Sequence, residues 1–558
     1  MVPDWSYAQL LKMKMETTRS IIQGSWFAVD SLVNAMSTLQ VNTKTDGYLR
    51  FNKIRDPKGM VFSDRLASGL DAVTTSESIK LFNLVSEIRE ISLQDKDFLE
   101  AETKKLRGHL ALSNFHTLMN PTFKNLIDYG TSCMYFCPVY GKKEIFSFML
   151  IPPGSYYIKQ NSFCDVDGVI CEYDIFYDEF VQKYGKHNLE GDFKPHDKVS
   201  ITHLAVIDYG EFFDVPFPPV GDDIEEMEKW NTVSVLFANQ RKIPGTTKRL
   251  NYFPYGVLRW NLSDYSMPWG VNCPGQQALL QLVRLAKQTD DISCTAALKA
   301  QPPIIGPAKL KDEFNGKYPK PSTIYWENTY KKPNEKNDIF QEIIVSRLDI
   351  NELTAERERT DRNIEHIYKM DYIEQFLSLE KSRTSAKEIE EKKSEKLTMM
   401  GALDTRIKRD LLDRVIKFGL IRMSENENRE EQRYVKNLED FKVKPEYNTI
   451  INQAQKALVA QQLKDFLEII TTLTRDEQDK DMEFSINKRE AALALAQNMN
   501  VSEKIIVNEK EFMARKQQEI EKQKMAVQAK AMADTGRGQK AFAEADLKRQ
   551  EVEEAGGG

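Results

Sequence analysis

The chain has 558 residues, of which 41% are hydrophobic and 29% charged, and its formal net charge is -6. At roughly 100–200 residues per domain it holds two to four domains, with apolar material for a sizeable core. A balance this near neutral excludes a wholly basic nucleic-acid coat and leaves room for local basic surfaces. No run of 18 apolar residues occurs, so no membrane-spanning helix is expected. The first twenty residues lack the basic, apolar, then small-residue layout of a secretory signal, which points to a cytosolic product. Cys133 and Cys137, and Cys164 and Cys171, are not spaced as zinc ligands usually are; with Cys273 and Cys294 they read as buried free thiols rather than as a disulfide framework.

In chain order, residues 1–40 read as a helix, because Trp26, Phe27, Val29, Leu32, Val33 and Met36 recur at helical spacing. Residues 95–128 read as a second helical region that Pro121 should break or kink. From Thr131 to Leu258 the texture changes to short β-branched and aromatic runs: "SCMYFCPVY", "IFSFMLI", "VICEYDIFY", "VSITHLAVIDYG" and "NTVSVLFANQRKI". Gly, Pro, Asn and Asp separate them, so they read as strands and turns. "YDEFVQKYG" reads as a short helix ending at Gly185.

The stretch "PYGVLRWNLSDYSMPWGVNCPGQQALLQLVRLAKQ" starts as a strand, breaks into turn residues and becomes an amphipathic helix over Gln276–Ala300, which Pro302 and Pro303 end. Leu279, Leu280, Leu282, Val283 and Leu285 suit either an ordinary core face or a helix-to-helix contact. Residues 301–347 form a Pro- and Lys-rich insert with strand-like "STIYWEN" and "FQEIIVSRL". The helix at 352–372 has no large apolar side chain from Thr354 to Asn363, so its middle needs water or polar partners. Ile364, Ile367, Tyr368 and Tyr372 let its C-terminal end pack. Ser385 and Glu388 have capping-box spacing, starting a helix from Ala386 to about Phe418 with Gly419 as its C-cap. The loop before it carries Lys381 and Arg383, which by themselves read as solvent-facing charge. Ile506, Met513, Ile520 and Val527 recur every seven residues, a narrow seam suited to helices packed side by side.

No catalytic constellation stands out. The Gly-Lys pairs at Gly141, Gly185 and Gly316 lack the remainder of a phosphate loop, and HExxH and GxSxG are absent. His196 and His203 sit in or beside strand-like sequence. Asp165 and Asp167 in "CDVDG" lack calcium-loop spacing and read as a hairpin turn with Gly168 at positive φ. No metal, cofactor or enzymatic activity is expected.

The order of several motifs resembles the head-to-tail connector, or portal, family of short-tailed (podovirus, T7-like) bacteriophages. "SNFHTLMNPTFKNLIDYGTSCMYF" carries Asn114, Phe115, Gly130 and Thr131 of that pattern. Arg259, Trp260, Gly270, Pro274 and Gly275 match its Arg-Trp and Tyr-Gly-x-x-Pro-Gly segment, with Trp269 where tyrosine is usual. "IPPGSYYI" and "DGVICEYDIFYDEFVQKYG" resemble the strand, hairpin and short helix of the family, and "SAKEI" its Thr-Ala-x-Glu-Val. The resemblance implies an α+β, ring-forming portal fold. An α/β wing would span 1–275, paired stem helices 276–300 and 348–372, and a small β-containing clip 301–347. A tunnel loop and long wing helix would occupy 373–429, a mainly helical crown 430–502 and a C-terminal barrel 503–558.

It further implies a homododecamer at one capsid vertex of the virion, made in the host bacterial cytoplasm, that passes double-stranded viral DNA without sequence specificity. Lys381, Arg383 and Lys387 would face that DNA. Glu356, Arg357, Glu358, Arg359 and Arg362 would pair between subunits in the stem. The clip lysines Lys309, Lys311, Lys317, Lys320, Lys331 and Lys332 would dock the terminase large subunit and then the tail adaptor. Major capsid, scaffolding and internal core proteins are further expected partners. A tail adaptor or internal core scaffold with the same helices, and an enzyme with an unrecognised site, are the alternatives.

Overall fold

A computed structural model describes residues 3–34, 56–77, 80–86, 93–140, 143–185, 193–210, 212, 215, 231–262, 266–301, 304–307, 324–327, 341–342, 350–368, 401–426 and 443–449, with isolated helical residues after 455. The chain divides into two compact units, Met1–Asn452 and Gln453–Gly558. Both strands and helices are present, consistent with an α+β class.

Helix α1 (Trp5–Val33) starts where the Asp4 side chain accepts from the Tyr7 amide at 2.9 Å. Ala8, Leu11, Met15, Ile22, Trp26, Val29 and Val33 form its buried face. The helix ends at Val33, short of residue 40, and the rest of that expected span lies outside the described residues. Helix α2 (Lys58–Thr74) and strand β1 (Phe82–Ser86) follow.

The region 95–128 is two helices, α3 (Leu93–Leu112) and α4 (Phe115–Tyr129), and the break is not at Pro121. It falls at Asn114, whose side-chain amide donates to the Phe148 carbonyl at 2.8 Å while its oxygen accepts the Phe148 amide at 2.9 Å. That side chain grips a strand backbone and fixes where the chain turns. Pro121 rides inside α4 at the cost of one helical hydrogen bond.

Two antiparallel sheets form the β-rich part. One runs β10 (Tyr255–Arg259), β2 (Thr131–Pro138), β3 (Phe146–Ile151). The other runs β4 (Tyr156–Gln160), β5 (Val166–Phe176), β6 (Lys198–Ile207), β7 (Thr232–Ala238), β8 (Arg241–Lys242), with β9 (Lys248–Leu250) also on β7. Helix α5 (Tyr177–Tyr184) ends at Gly185 as expected. Leu11 and Met15 of α1 pack on Tyr157, Ile170, Leu204 and Val235 of the larger sheet. The β4–β5 turn is not built on Gly168, which lies in β5. Cys164 takes the left-handed conformation instead (φ 63°), tolerated because Asn161 Oδ1 accepts the amides of Phe163 and Asp165.

Helix α6 (Pro274–Ala300) leaves the sheets and ends before Pro302. Among its described residues the insert after it carries three short strands: β11 (Ile304–Pro307) lies between β12 (Ile324–Glu327) and β13 (Gln341–Glu342). Helix α7 (Ile350–Ile367) returns alongside α6. Residues 401–407 are helical and lead through a π-helical turn, Lys408–Leu412, into α8 (Asp413–Asn426). Gly419 does not cap this helix. It lies inside α8, where a Cβ would meet Leu106 Cδ1 at 2.5 Å, so the missing side chain admits α3. Strand β14 (Val443–Tyr447), within the stretch expected for the crown, pairs antiparallel with β1. The capping box at Ser385 and Glu388, and the heptad Ile506, Met513, Ile520 and Val527, lie outside the described residues.

The tightest point is a crossing of two backbones. Gly130 caps α4 at φ 77°, and a Cβ there would lie 2.5 Å from the Gly270 carbonyl. A Cβ on Gly270 would overlap the Gly130 carbonyl. Gly270→Ala should therefore destabilise the protein by about 1–3 kcal/mol through overpacking. Gly24→Ala, in α1 with nothing within 4 Å of its Cβ position, should stabilise by roughly 0.5–1 kcal/mol. Thermal denaturation of the two variants reads the contrast.

Candidate functional site

Among the described residues the motif positions Gly130, Thr131, Trp260, Gly270, Pro274 and Gly275 converge at the root of the α6–α7 pair, whereas Asn114 and Phe115 lie at the other end of α4. Pro274 occupies the first turn of α6, where its preset φ fits and its missing N–H costs nothing. The preceding segment is tied down: the Trp260 amide donates to the Gly130 carbonyl at 2.8 Å, and the Gly270 amide to Thr131 Oγ1 at 2.9 Å. The Trp269 ring is fully buried, 5.2 Å from that of Trp26, whose indole donates to the Tyr129 carbonyl at 2.8 Å.

Arg259 is buried and donates to Gln160 Oε1 at 3.1 Å and the Cys164 carbonyl at 2.8 Å, with Asp410 of the π turn 3.5 Å away. Arg414 reaches the carbonyls of Tyr255 and Val166 at 3.1 Å. Burial raises the pKa of Asp410 against the pull of both arginines. These guanidiniums bolt the helical segment 401–426 onto β10 and the β4–β5 hairpin.

Helix α6 is amphipathic: Leu282 and Leu285 are buried, whereas Leu280 is 76% and Val283 55% exposed. The expected leucine cluster thus splits between an inner face and an open one. Helix α7 is not solvated all round in its middle, because Thr360 and Asp361 are buried and polar partners meet that face. Arg357 donates to Asp56 at 2.7 Å, and Lys58 pairs with Asp361. Glu356 pairs with Arg284 of α6. Phe62 and Tyr368 rings lie 6.2 Å apart. The first turns of α2 are therefore the seat of the helix pair. Glu358, Arg359 and Arg362 are exposed on the far side.

Below the seat, Asp128 is fully buried at the end of α4. It accepts from Ser63 Oγ at 2.6 Å and Asn34 Nδ2 at 2.7 Å, and burial raises its pKa to about 6. His203 is also buried, 2.5 Å from the Tyr255 hydroxyl and 2.8 Å from Ser234 Oγ, and burial lowers its pKa to about 4, so it is neutral at pH 7. All six cysteines are free, yet only Cys133, Cys171 and Cys273 are buried; Cys294 is exposed on α6, so the expectation of buried thiols holds for half of them. No group of side chains among the described residues could hold a metal ion, and no described helix is long and apolar enough to cross a membrane.

The sequence matches the family "Bacteriophage head to tail connecting protein" over residues 8–506. The chain belongs to this family. It is 22% identical over 543 residues to the "Portal protein" of Salmonella phage epsilon15, covering 94% of this chain and 92% of that one. It is 23% identical over 425 residues to the "Probable portal protein" of Bordetella phage BPP-1, covering 74% and 73% respectively. Gly130, Arg259, Trp260, Gly270, Pro274 and Gly275, scattered through 146 positions, meet at one junction within the matched span.

Of the residues singled out by sequence, Glu356 and Arg357 have partners within the chain, and Glu358, Arg359 and Arg362 face outward. Lys381, Arg383 and Lys387, and the clip lysines Lys309, Lys311, Lys317, Lys320, Lys331 and Lys332, lie outside the described residues. Asp56, Lys58, Ser63 and Asp128 were missed. The helical recurrence of Phe62, Leu66, Leu70 and Val73 would have located α2, though not its partners.

Asp56→Ala leaves Arg357 without its carboxylate and should destabilise the protein by about 1–3 kcal/mol. Arg359→Ala should change protomer stability by no more than about 0.5 kcal/mol. Chemical denaturation of the two variants separates the seat from the open face.

Proposed function

We propose that the chain forms the portal ring at one capsid vertex of a short-tailed phage virion, probing no base sequence and carrying out no chemistry of its own. The carrying observation is the one-sided seat of the helix pair. The inner faces of α6 and α7 are occupied within the protomer, while Leu280 and Val283 on one helix and Glu358, Arg359 and Arg362 on the other are open. A heterologous contact repeated around a closed ring covers such faces by placing each copy against the next. Family membership and the printed names of the two relatives support a ring of this kind, for which twelve copies is the expected number.

In this reading α6 and α7 form the stem, and the strands β11–β13 belong to the clip. Lys381, Arg383 and Lys387 line the channel. A single lysine is a weak attraction for phosphate, but a ring of copies at a constriction makes a field. Contacts to the DNA backbone without base readout let the duplex slide. The lysines Lys309, Lys311, Lys317, Lys320, Lys331 and Lys332 dock the terminase large subunit during packaging and the tail adaptor afterwards. The segment 309–336 holds seven lysines against four acidic residues, which suits acidic partner surfaces. Capsid, scaffolding and internal core proteins would meet the wing and crown.

Electron microscopy of purified protein should show rings with a central hole wide enough for duplex DNA; a monomer or dimer at high concentration overturns the reading. In the Lys381→Glu, Arg383→Glu variant, rings should still assemble while packaged DNA falls about tenfold or more, because inverted charges repel the phosphates. Normal packaging by that variant would remove both residues from the channel.

A further inference from the structure

We infer that Asp128 is a pH-sensitive latch at the root of the helix pair, holding α6 and α7 on the wing more tightly when it is protonated. The geometry carries this. The carboxyl is fully buried and is met by two neutral donors, Ser63 Oγ at 2.6 Å and Asn34 Nδ2 at 2.7 Å. The cation on its own helix, Lys124, is committed to Asp64. An ionised carboxylate kept from water without a paired cation is costly, whereas the neutral acid at the same place is not.

Every element at the junction touches or faces this group. From α1 come Asn34 and, through the Tyr129 hydroxyl, Asp30. Helix α2 supplies Ser63 and Asp64, and α4 supplies Lys124 and Tyr129. The start of α6 comes within contact of the Asp128 main chain: the Cys273 thiol lies 3.5 Å from its carbonyl, and a Cβ on Gly275 would lie 2.7 Å from the same oxygen. After the end of α7, the Tyr368 hydroxyl is buried with no hydrogen-bond partner and lies close enough for the Asp128 charge to act on it. Protonation converts Asp128 from a pure acceptor into a group that can also donate. It thereby relieves a buried charge where five helices converge.

The sign follows from where the proton binds. Burial raises the pKa of Asp128 to about 6 from a usual value of 3.8. Between those values the folded state holds a proton that the opened state releases. The contribution of Asp128 to stability is therefore least above pH 6, and it grows as pH falls from 7 toward 4.

Hydrogen exchange of the full-length protein over residues 274–285, corrected for intrinsic rates, tests the latch. The opening equilibrium should fall about tenfold between pH 7.5 and pH 5.0. In Asp128→Asn, which keeps the shape and removes the charge, it should be nearly flat and already low at pH 7.5. Ser63→Ala removes one donor to the carboxylate and should move the wild-type transition to higher pH, which decides the matter if the Asn variant does not fold. Equal pH slopes in wild type and Asp128→Asn, or an unmoved transition in Ser63→Ala, would overturn the inference.

Discussion

The crossing of two backbones at Gly130 and Gly270 is the constraint on which the rest depends. Strand β2 leaves α4 there and the loop after β10 delivers α6, and no side chain fits between them. Close approach lets Trp260 and Gly270 bond across the gap to Gly130 and Thr131. It also places the first turn of α6 against the last turn of α4. Everything that orients the helix pair is assembled around that contact: the Trp26–Trp269 packing, the Arg259 and Arg414 bolts, and the α2 seat.

Polar interactions do the orienting and apolar ones the holding. Leu282, Leu285, Ile364 and Tyr368 bury the apolar part of the helix pair. The ion pairs Arg357–Asp56 and Lys58–Asp361 supply direction, because each carboxylate is well buried and needs its cation. Asp128 differs in lacking a cation, and burial against two neutral donors raises its pKa to about 6. The π turn at Lys408–Leu412 brings Asp410 beside Arg259, so the helical segment 401–426 is locked in register with β10.

Much of the fold was legible. Short β-branched and aromatic runs set off by turn residues located β2, β3, β5, β6, β7 and β10, while β9 carried no such signal. Gly185 and Pro302 ended helices as their backbone chemistry requires. The misreadings share one cause. Pro121, Gly168 and Gly419 are residues with strong local preferences, and each was assigned by preference alone. In the folded chain Asn114 gripping β3, Asn161 stabilising Cys164, and Leu106 pressing on Gly419 decided otherwise. Contacts between residues far apart in sequence overrode local preference at Pro121 and Gly419, and at Gly168 a competing local turn around Asn161 did so.

For the candidate site, the amino-acid order alone determined the amphipathic α6, the polar α7 and the family motifs, but not α2, because periodicity and backbone chemistry are local. Only the tertiary structure decided which charges are spent. Arg357 and Arg359 look alike in sequence; one is held by Asp56, 301 residues away, and the other faces outward. The same holds for Asp128, whose burial comes from the end of α1, from α2 and from the start of α6. Desolvation is set by what packs around a group, and a one-dimensional pattern does not carry that information.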